Sequence, residues 1–230
     1  MEIATIAIDI GTFLAIIVAL FRDEITALWR KPQVDARIKL AAPDCHLTRL
    51  MKFDASGTAL VKAPCYYLRF WIENTGNVRA EDVQVFIKKV ERKKADGEFR
   101  EDRDFLPMNL RWSHAGIGRT VIFTSINPGM GRHSDLGHIV DPNFAADFLP
   151  SKEYFPNSPG EGKTVIRLDV EFEPATYSHL LPPGEYQLTL MIGGANFKPV
   201  TKLVRLVHRG DWFPDEERMF RDGLGIAVPD

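Results

Sequence analysis

Cysteine is scarce in this chain: its 230 residues include two, Cys45 and Cys65. Two thiols cannot build a disulfide framework, which excludes the small secreted scaffolds that depend on one, although a single bridge between them stays open. An excess of either charge is also missing, with 29 Lys and Arg against 31 Asp and Glu and a net charge of −2. General nucleic-acid binders carry a basic footprint, so nucleic acid is not an expected partner. The one basic run, Lys88 to Lys94, is followed closely by acids and reads as a solvated hairpin tip. No Cys-x-x-Cys pair, no Gly-x-x-x-x-Gly-Lys-Ser/Thr and no Gly-x-Ser-x-Gly occurs. The usual zinc, nucleotide and hydrolase signatures are therefore missing.

What is present starts with IATIAIDIGTFLAIIVALF, Ile3 to Phe21. As a helix its 19 residues would rise about 28 Å, close to the roughly 30 Å hydrocarbon layer. Its eleven Ile, Leu, Val and Phe residues favour insertion by on the order of 5 kcal/mol, against at most about 3 kcal/mol for Asp9. Glu2 and no cation precede the run, which argues against a cleaved export signal. Arg22, Arg30, Lys31, Arg37 and Lys39 follow it. The expectation is an uncleaved single-pass anchor in the lipid bilayer, over residues 3–21, with the C-terminal part in the cytoplasm. Ala7, Gly11, Ala15 and Ala19 form a small-residue ridge, and Asp9 sits in a polar stripe with Glu2, Thr5 and Thr12. Both stripes suit helix association, in a homo-oligomer or with a partner membrane protein.

From Gln33 onward the dominant signal is period two. Val34, Ala36, Ile38 and Leu40 alternate with polar residues. So do Leu68, Phe70 and Ile72; Val83, Val85 and Ile87; Ile166, Leu168, Val170 and Phe172; and Tyr186, Leu188, Leu190 and Ile192. One apolar and one wet face per strand predicts antiparallel sheets packed as a β-sandwich. Asn74-Thr-Gly-Asn77 reads as a tight turn, with Gly76 or Asn77 able to take positive φ, and Ala95-Asp-Gly-Glu98 as a hairpin tip. Residues 1–32 are expected to form the anchor and its extension, 33–212 the sandwich, and 213–230 a short C-terminal helix and tail. Six prolines between Leu106 and Gly162 predict long loops there. Pro214 opens the final helix, Asp215, Glu216 and Glu217 favour its start, Gly223 stops it, and Trp212, Phe213, Met219 and Phe220 would dock it.

WIENTGNVRAEDVQVFI (Trp71–Ile87) resembles the strand-turn-strand of bacterial immunoglobulin-like modules, and PPGEYQLTL (Pro182–Leu190) is similar to their strand entry. With the anchor, the chain resembles bacterial proteins in which one N-terminal helix carries such a sandwich. The resemblance implies a mainly β, immunoglobulin-like fold with an N-terminal transmembrane helix, and it implies no catalytic residues.

Candidate chemistry gathers in NPGMGRHSDLGHIVDP, Asn127 to Pro142. His133, Asp135 and His138, with Cys45, Cys65, His46 and His114 elsewhere, are suitable zinc ligands. His133 and His138 are five apart, however, and fall on opposite faces of a regular strand. Gly129, Gly131, Arg132 and His133 could offer N–H groups and a cation to an anion. Ser113 and His114, as sequence neighbours, point apart on a strand and make no triad. The leading expectation is a membrane-anchored cytoplasmic sandwich that binds a partner protein or ligand without catalysis and without a cofactor. Two alternatives stand beside it: a ligand- or zinc-gated effector assembling through its membrane helix, and a metal-dependent hydrolase using the 133–138 loop.

Overall fold

Strand β3 (Ala59–Asn74) shows how the alternating pattern becomes a fold. Its even-numbered residues Tyr66, Leu68, Phe70 and Ile72 have no exposed surface, while the odd-numbered Tyr67, Arg69, Trp71 and Glu73 keep some. A strand's period of two puts these sets on opposite faces, so one face of β3 belongs to the core and the other does not. The computed structural model that shows this describes residues 18–21, 30–114, 121–151, 155, 160 and 162–229.

Among the described residues, fourteen strands form two seven-stranded sheets, and every strand pair is antiparallel. The first sheet has β1 (Val34–Arg37), β2 (Cys45–Phe53), β3, β7 (Arg111–Trp112), β9 (Gly131–Val140), β10 (Ile166–Leu168) and β11 (Leu180–Leu181). Its path runs β1-β3-β9-β10-β11; β2 also pairs with β3, and β7 with β9. The second contains β4 (Ala80–Lys93), β5 (Phe99–Glu101), β6 (Met108–Asn109), β8 (Phe123–Ile126), β12 (Gly184–Gly194), β13 (Phe197–His208) and β14 (Leu224–Ala227). One buried cluster joins them: Phe70, Ile72, Leu136 and Ile166 from the first sheet meet Val83, Ile87, Leu188 and Leu206 from the second. The architecture is thus the expected sandwich of antiparallel sheets. The stretch from Met108 to Trp112 stitches the layers, since Met108 pairs with Ile87 and Arg111 with Asp135.

Three expectations need correction. Among the described residues no helix is long and apolar enough to cross a membrane. Ala19 lies among the described residues, whereas Ala7, Asp9, Gly11 and Ala15 lie outside them. Next, the region read as loops contains β6 to β9, and β9 is central to the first sheet. Its alternation is hidden by two glycines and by the buried polar side chains of Ser134 and His138. Lastly, the turn after β3 does not use positive φ at Gly76 or Asn77. Gly76 is small because a Cβ there would lie 2.4 Å from the Lys31 carbonyl oxygen and the Gln33 nitrogen. The fully buried Asn74 side chain holds the turn, accepting from Gln33 and Gly76 N–H and donating to the Val78 and Ile126 carbonyls.

The C-terminal helix is short, Glu216–Arg218 continued by a wider turn over Met219–Gly223, and Asp215 caps it by accepting from Arg218 N–H. Trp212 and Phe220 pack against Tyr66 at 5.1 and 5.5 Å between ring centroids, and Met219 is fully buried. The chain then adds β14 beside β13, an edge strand that the sequence pattern does not announce.

Gly137 gives a clear test of close packing, since a Cβ there would sit 2.4 Å from the Arg167 carbonyl oxygen. Gly137→Ala should lower stability by about 1–3 kcal/mol in chemical denaturation, in the range of overpacked sites. Gly193→Ala, where a Cβ meets nothing within 4 Å, should change it by less than about 0.5 kcal/mol.

Candidate functional site: the outer face of the first sheet

Strand β9 follows β3 in register until Leu68 pairs with Gly137 and the next residue, Arg69, pairs with Asp135. Leu136 is the extra residue of a β-bulge, and it points into the core. The bulge shifts the alternation by one. His133 therefore pairs with Trp71, Asp135 with Arg69 and His138 with Tyr67, all on the outer face. Two histidines that a regular strand would separate are brought to one side, and no loop is needed.

They do not converge on a common centre. His133 Nε2 is 3.0 Å from Asp44 Oδ1, and Asp44 also accepts from Lys39 N–H at 2.9 Å. Its ring packs on Trp71 at 4.8 Å, with the Arg37 guanidinium 5.8 Å from the same indole. Asp135 takes Arg69 Nε at 3.1 Å and a hydrogen bond from Ser113 Oγ. His138 Nδ1 lies 3.1 Å from both Asp169 oxygens, and its ring is 5.4 Å from Tyr67. Arg69 covers the Tyr67 ring at 4.7 Å. Further along, Arg167 donates to the Phe148 carbonyl and pairs with Glu173, while Arg111 donates to the Glu171 carbonyl.

Burial sets the electrostatics of this face. Asp44 and His138 side chains are 4% and 6% exposed, and those of Arg69, Asp169 and Asp135 lie between 12% and 16%. Desolvation, then the nearby Asp169 charge, pushes the Asp135 carboxyl up, opposed by Ser113 and Arg69. Burial raises the Tyr67 hydroxyl and lowers His46, the latter helped by Arg69. At the Asp169 end of the network lies a groove of about 530 Å³. Lys52, Arg111, Arg167, Asp147, Asp169 and Glu173 line it, with apolar walls from Leu50, Phe53 and Phe148.

Among the described residues, no group of three or more His, Cys, Asp and Glu side chains is placed to hold a metal. Cys45 lies in the core beside Leu68, while Cys65 sits on the outer face with Ala63 and Val140. They occupy opposite faces of the sheet and are both free. Burial pushes each thiol up to about 12, which makes them poor nucleophiles. The glycine loop does not gather as an anion cradle. Gly129 N–H donates to the Asn74 carbonyl and Met130 N–H to the Asn127 carbonyl. Gly131 lies under Trp71, and the Arg132 guanidinium stacks 4.5 Å from the Phe123 ring and donates to the Ser113 carbonyl. Ser113 and His114 do not cooperate, since Ser113 serves Asp135 and His114 is exposed with φ of 56°.

Asp44, Arg69, Tyr67, Trp71 and Asp169 are site residues that sequence reasoning does not find. Only the alternation of β3 points to an outward row at 67, 69 and 71, and nothing local marks Asp44. No protein-family model matches the chain, and neither the curated proteins nor the solved structures contain a significant match.

Two outcomes test this chemistry. His179 and His208 are each 1% exposed and are pushed by burial down to about 4. A depressed imidazole adds stability that is present above its ordinary value near 6.5 and lost as pH falls toward 4. Unfolding free energy should therefore drop across that window, by on the order of 3 kcal/mol for each histidine, and a His179→Asn/His208→Asn variant should show a much flatter profile. Both thiols should stay unreactive toward a disulfide reagent at pH 8 in the folded chain and react on denaturation.

Proposed function

We infer that the chain is a non-catalytic β-sandwich binding module that takes a partner protein or ligand on the outer face of its first sheet. The observation carrying this reading is the row of desolvated ion pairs that meets an open groove at Asp169. An uncovered face of an antiparallel sheet is ordinarily solvated, and moving each charge out of water costs several kcal/mol before its partner repays it. Here Asp44, Arg69, Asp135, His138 and Asp169 lie on the outer face of the sheet yet are sequestered from water, each on its own partner. Asp135, whose carboxyl is pushed up by burial, adds to this, since perturbed groups cluster at functional sites. The groove volume lies within the range that suits small ligands or a short segment of a partner. Three cations and three carboxylates beside apolar walls suit an amphipathic occupant better than a simple anion.

Fixed ion pairs favour binding over turnover. Among the described residues, the one hydroxyl hydrogen-bonded to an imidazole is that of Thr164, with His208, and it lies in the buried interior. The resemblance of Trp71–Ile87 and Pro182–Leu190 to immunoglobulin-like modules supports the same reading, since it carries no catalytic residues with it.

Photo-crosslinking from the full chain in its native extract tests it. A crosslinking residue at Met51, beside the groove, should form a discrete adduct that disappears on Arg167→Glu while the circular-dichroism spectrum is unchanged. One at Ile122, at the surface of the second sheet, should not. Equal adducts from both positions, or an adduct indifferent to Arg167→Glu, would remove the groove from the function.

A further inference from the structure

Beyond Pro64, β3 and β2 continue as a two-stranded arm, residues 50–62, that gives no side chain to the main core and touches the outer-face cluster through Leu50. Met51, Phe53 and Leu60 on it are 40%, 55% and 60% exposed. Isolated two-stranded hairpins are marginal in water, so apolar side chains displayed there are not explained by the fold itself.

One long edge of this arm is open among the described residues. Arg69 N–H donates to the Asp44 carbonyl at 3.0 Å, which makes Asp44 and Arg69 a hydrogen-bonded pair. Antiparallel ladders alternate, so Leu47, Arg49 and Met51 turn their N–H and C=O groups away from β3. Among the described residues β2 pairs with β3 alone. The edge is also cationic. Arg49, Lys52 and Lys62 are exposed, and Asp54 is the sole acid between them. The Asp54 carboxylate is occupied in the turn, where it accepts from Ser56 N–H, Ser56 Oγ and Thr58 N–H.

We propose that the β2 edge is a strand-addition site for an extended segment of a partner protein that alternates acidic and apolar residues. Backbone groups of Leu47, Arg49 and Met51 supply the ladder, Lys52 meets the acids on one face, and Met51 and Phe53 take the apolar side chains on the other. The proposal rests on the binding-module reading and names its partner. A second copy of this chain fits worse, because it would bring Arg49 and Lys52 against their own like charges. A bilayer also fits worse, because the polar turn Asp54–Thr58 would have to enter it first.

The probe is an eight-residue peptide alternating glutamate and valine, with two controls: lysine in place of glutamate, and the acidic peptide with alternate amides N-methylated. Fluorescence anisotropy with the full chain should show the acidic peptide binding at least about tenfold tighter than either control. Arg49→Glu/Lys52→Glu should invert the charge preference. Hydrogen exchange at the Arg49 and Met51 amides should slow when the acidic peptide is bound. No binding at millimolar peptide overturns the proposal, as do equal affinities for all three or protection confined to other strands. So does binding only to phosphatidylserine vesicles that Phe53→Asp abolishes, which would assign the arm to a membrane surface. If the Met51 adduct depends on Arg167 while the peptide fails, the groove reading stands and strand addition falls. Peptide protection on β2 without that adduct keeps strand addition and removes the groove.

Discussion

The placement of one residue, Leu136, decides which face of the first sheet carries chemistry. A strand paired without interruption would send His133 and Asp135 to one side and His138 to the other. The extra residue restores His138 to the outer row while Leu136 itself fills the core. That geometry is enforced from the next strand, because the Arg167 backbone passes so close to Gly137 that no side chain fits between them. Packing against β10 and the electrostatics of the outer face are thus one constraint. His138 meets Asp169 only because β10 continues beside the bulge to place it. Bulges are expected where a strand must re-aim a side chain, and here it is His138 that is brought into line with His133 and Asp135.

Pairing within the row explains why it is not a metal centre despite suitable residue types. A metal needs imidazole nitrogens and carboxylates converging within about 2 Å of one point. On this face each histidine already faces a different carboxylate, Asp44 for His133 and Asp169 for His138, and these lie at separate positions along β9. Asp135, between them, is engaged by Arg69 and Ser113. Burial with a specific partner for every charge holds the groups still, which favours a pre-organised surface over a coordinating one. The same burial keeps the nearby Cys65 thiol protonated, so this face offers a fixed pattern of charge and aromatic surface and no activated sulfur.

How much of this is legible in the sequence follows from how each strand is buried. Strands with one dry and one wet face announce themselves, and β3, β4 and β12 are readable from Leu68, Val83 and Tyr186 onward for that reason. β9 is not, because its burial pattern is nearly continuous toward its end and two of its buried positions are Ser134 and His138. A strand covered on both sides loses the period-two signal. β2 is hidden differently, since its outer half, Leu50 to Phe53, is largely exposed on both faces and runs apolar, apolar, charged, apolar, with no period of two. The C-terminal turn is legible because capping is local: Asp215 and Arg218 are three residues apart. The counterion Asp44 lies 89 residues from His133, so no local pattern could point to it. At Ile3 to Phe21 the apolar count leads to a span, whereas among the described residues, which exclude Ile3 to Ile17, no helix is long and apolar enough to cross a membrane.

Rigid platform and open arm stand in physical contrast. Around the bulge, each charged side chain of the outer row is held by a named partner, and small residues are required where backbones touch. On the arm, backbone groups of Arg49 and Met51 face outward, and apolar side chains stand in water. Natural sheets protect such edges with charge, and Arg49 and Lys52 serve that purpose against self-association. Protection by one sign of charge is selective, however: it repels another cationic edge and attracts an acidic one. The feature that keeps this edge from pairing with itself therefore also defines the strand that could pair with it. The groove and the edge share Met51 and Phe53. A segment laid along β2 would accordingly reach the side of the sandwich where the buried ion pairs are fixed.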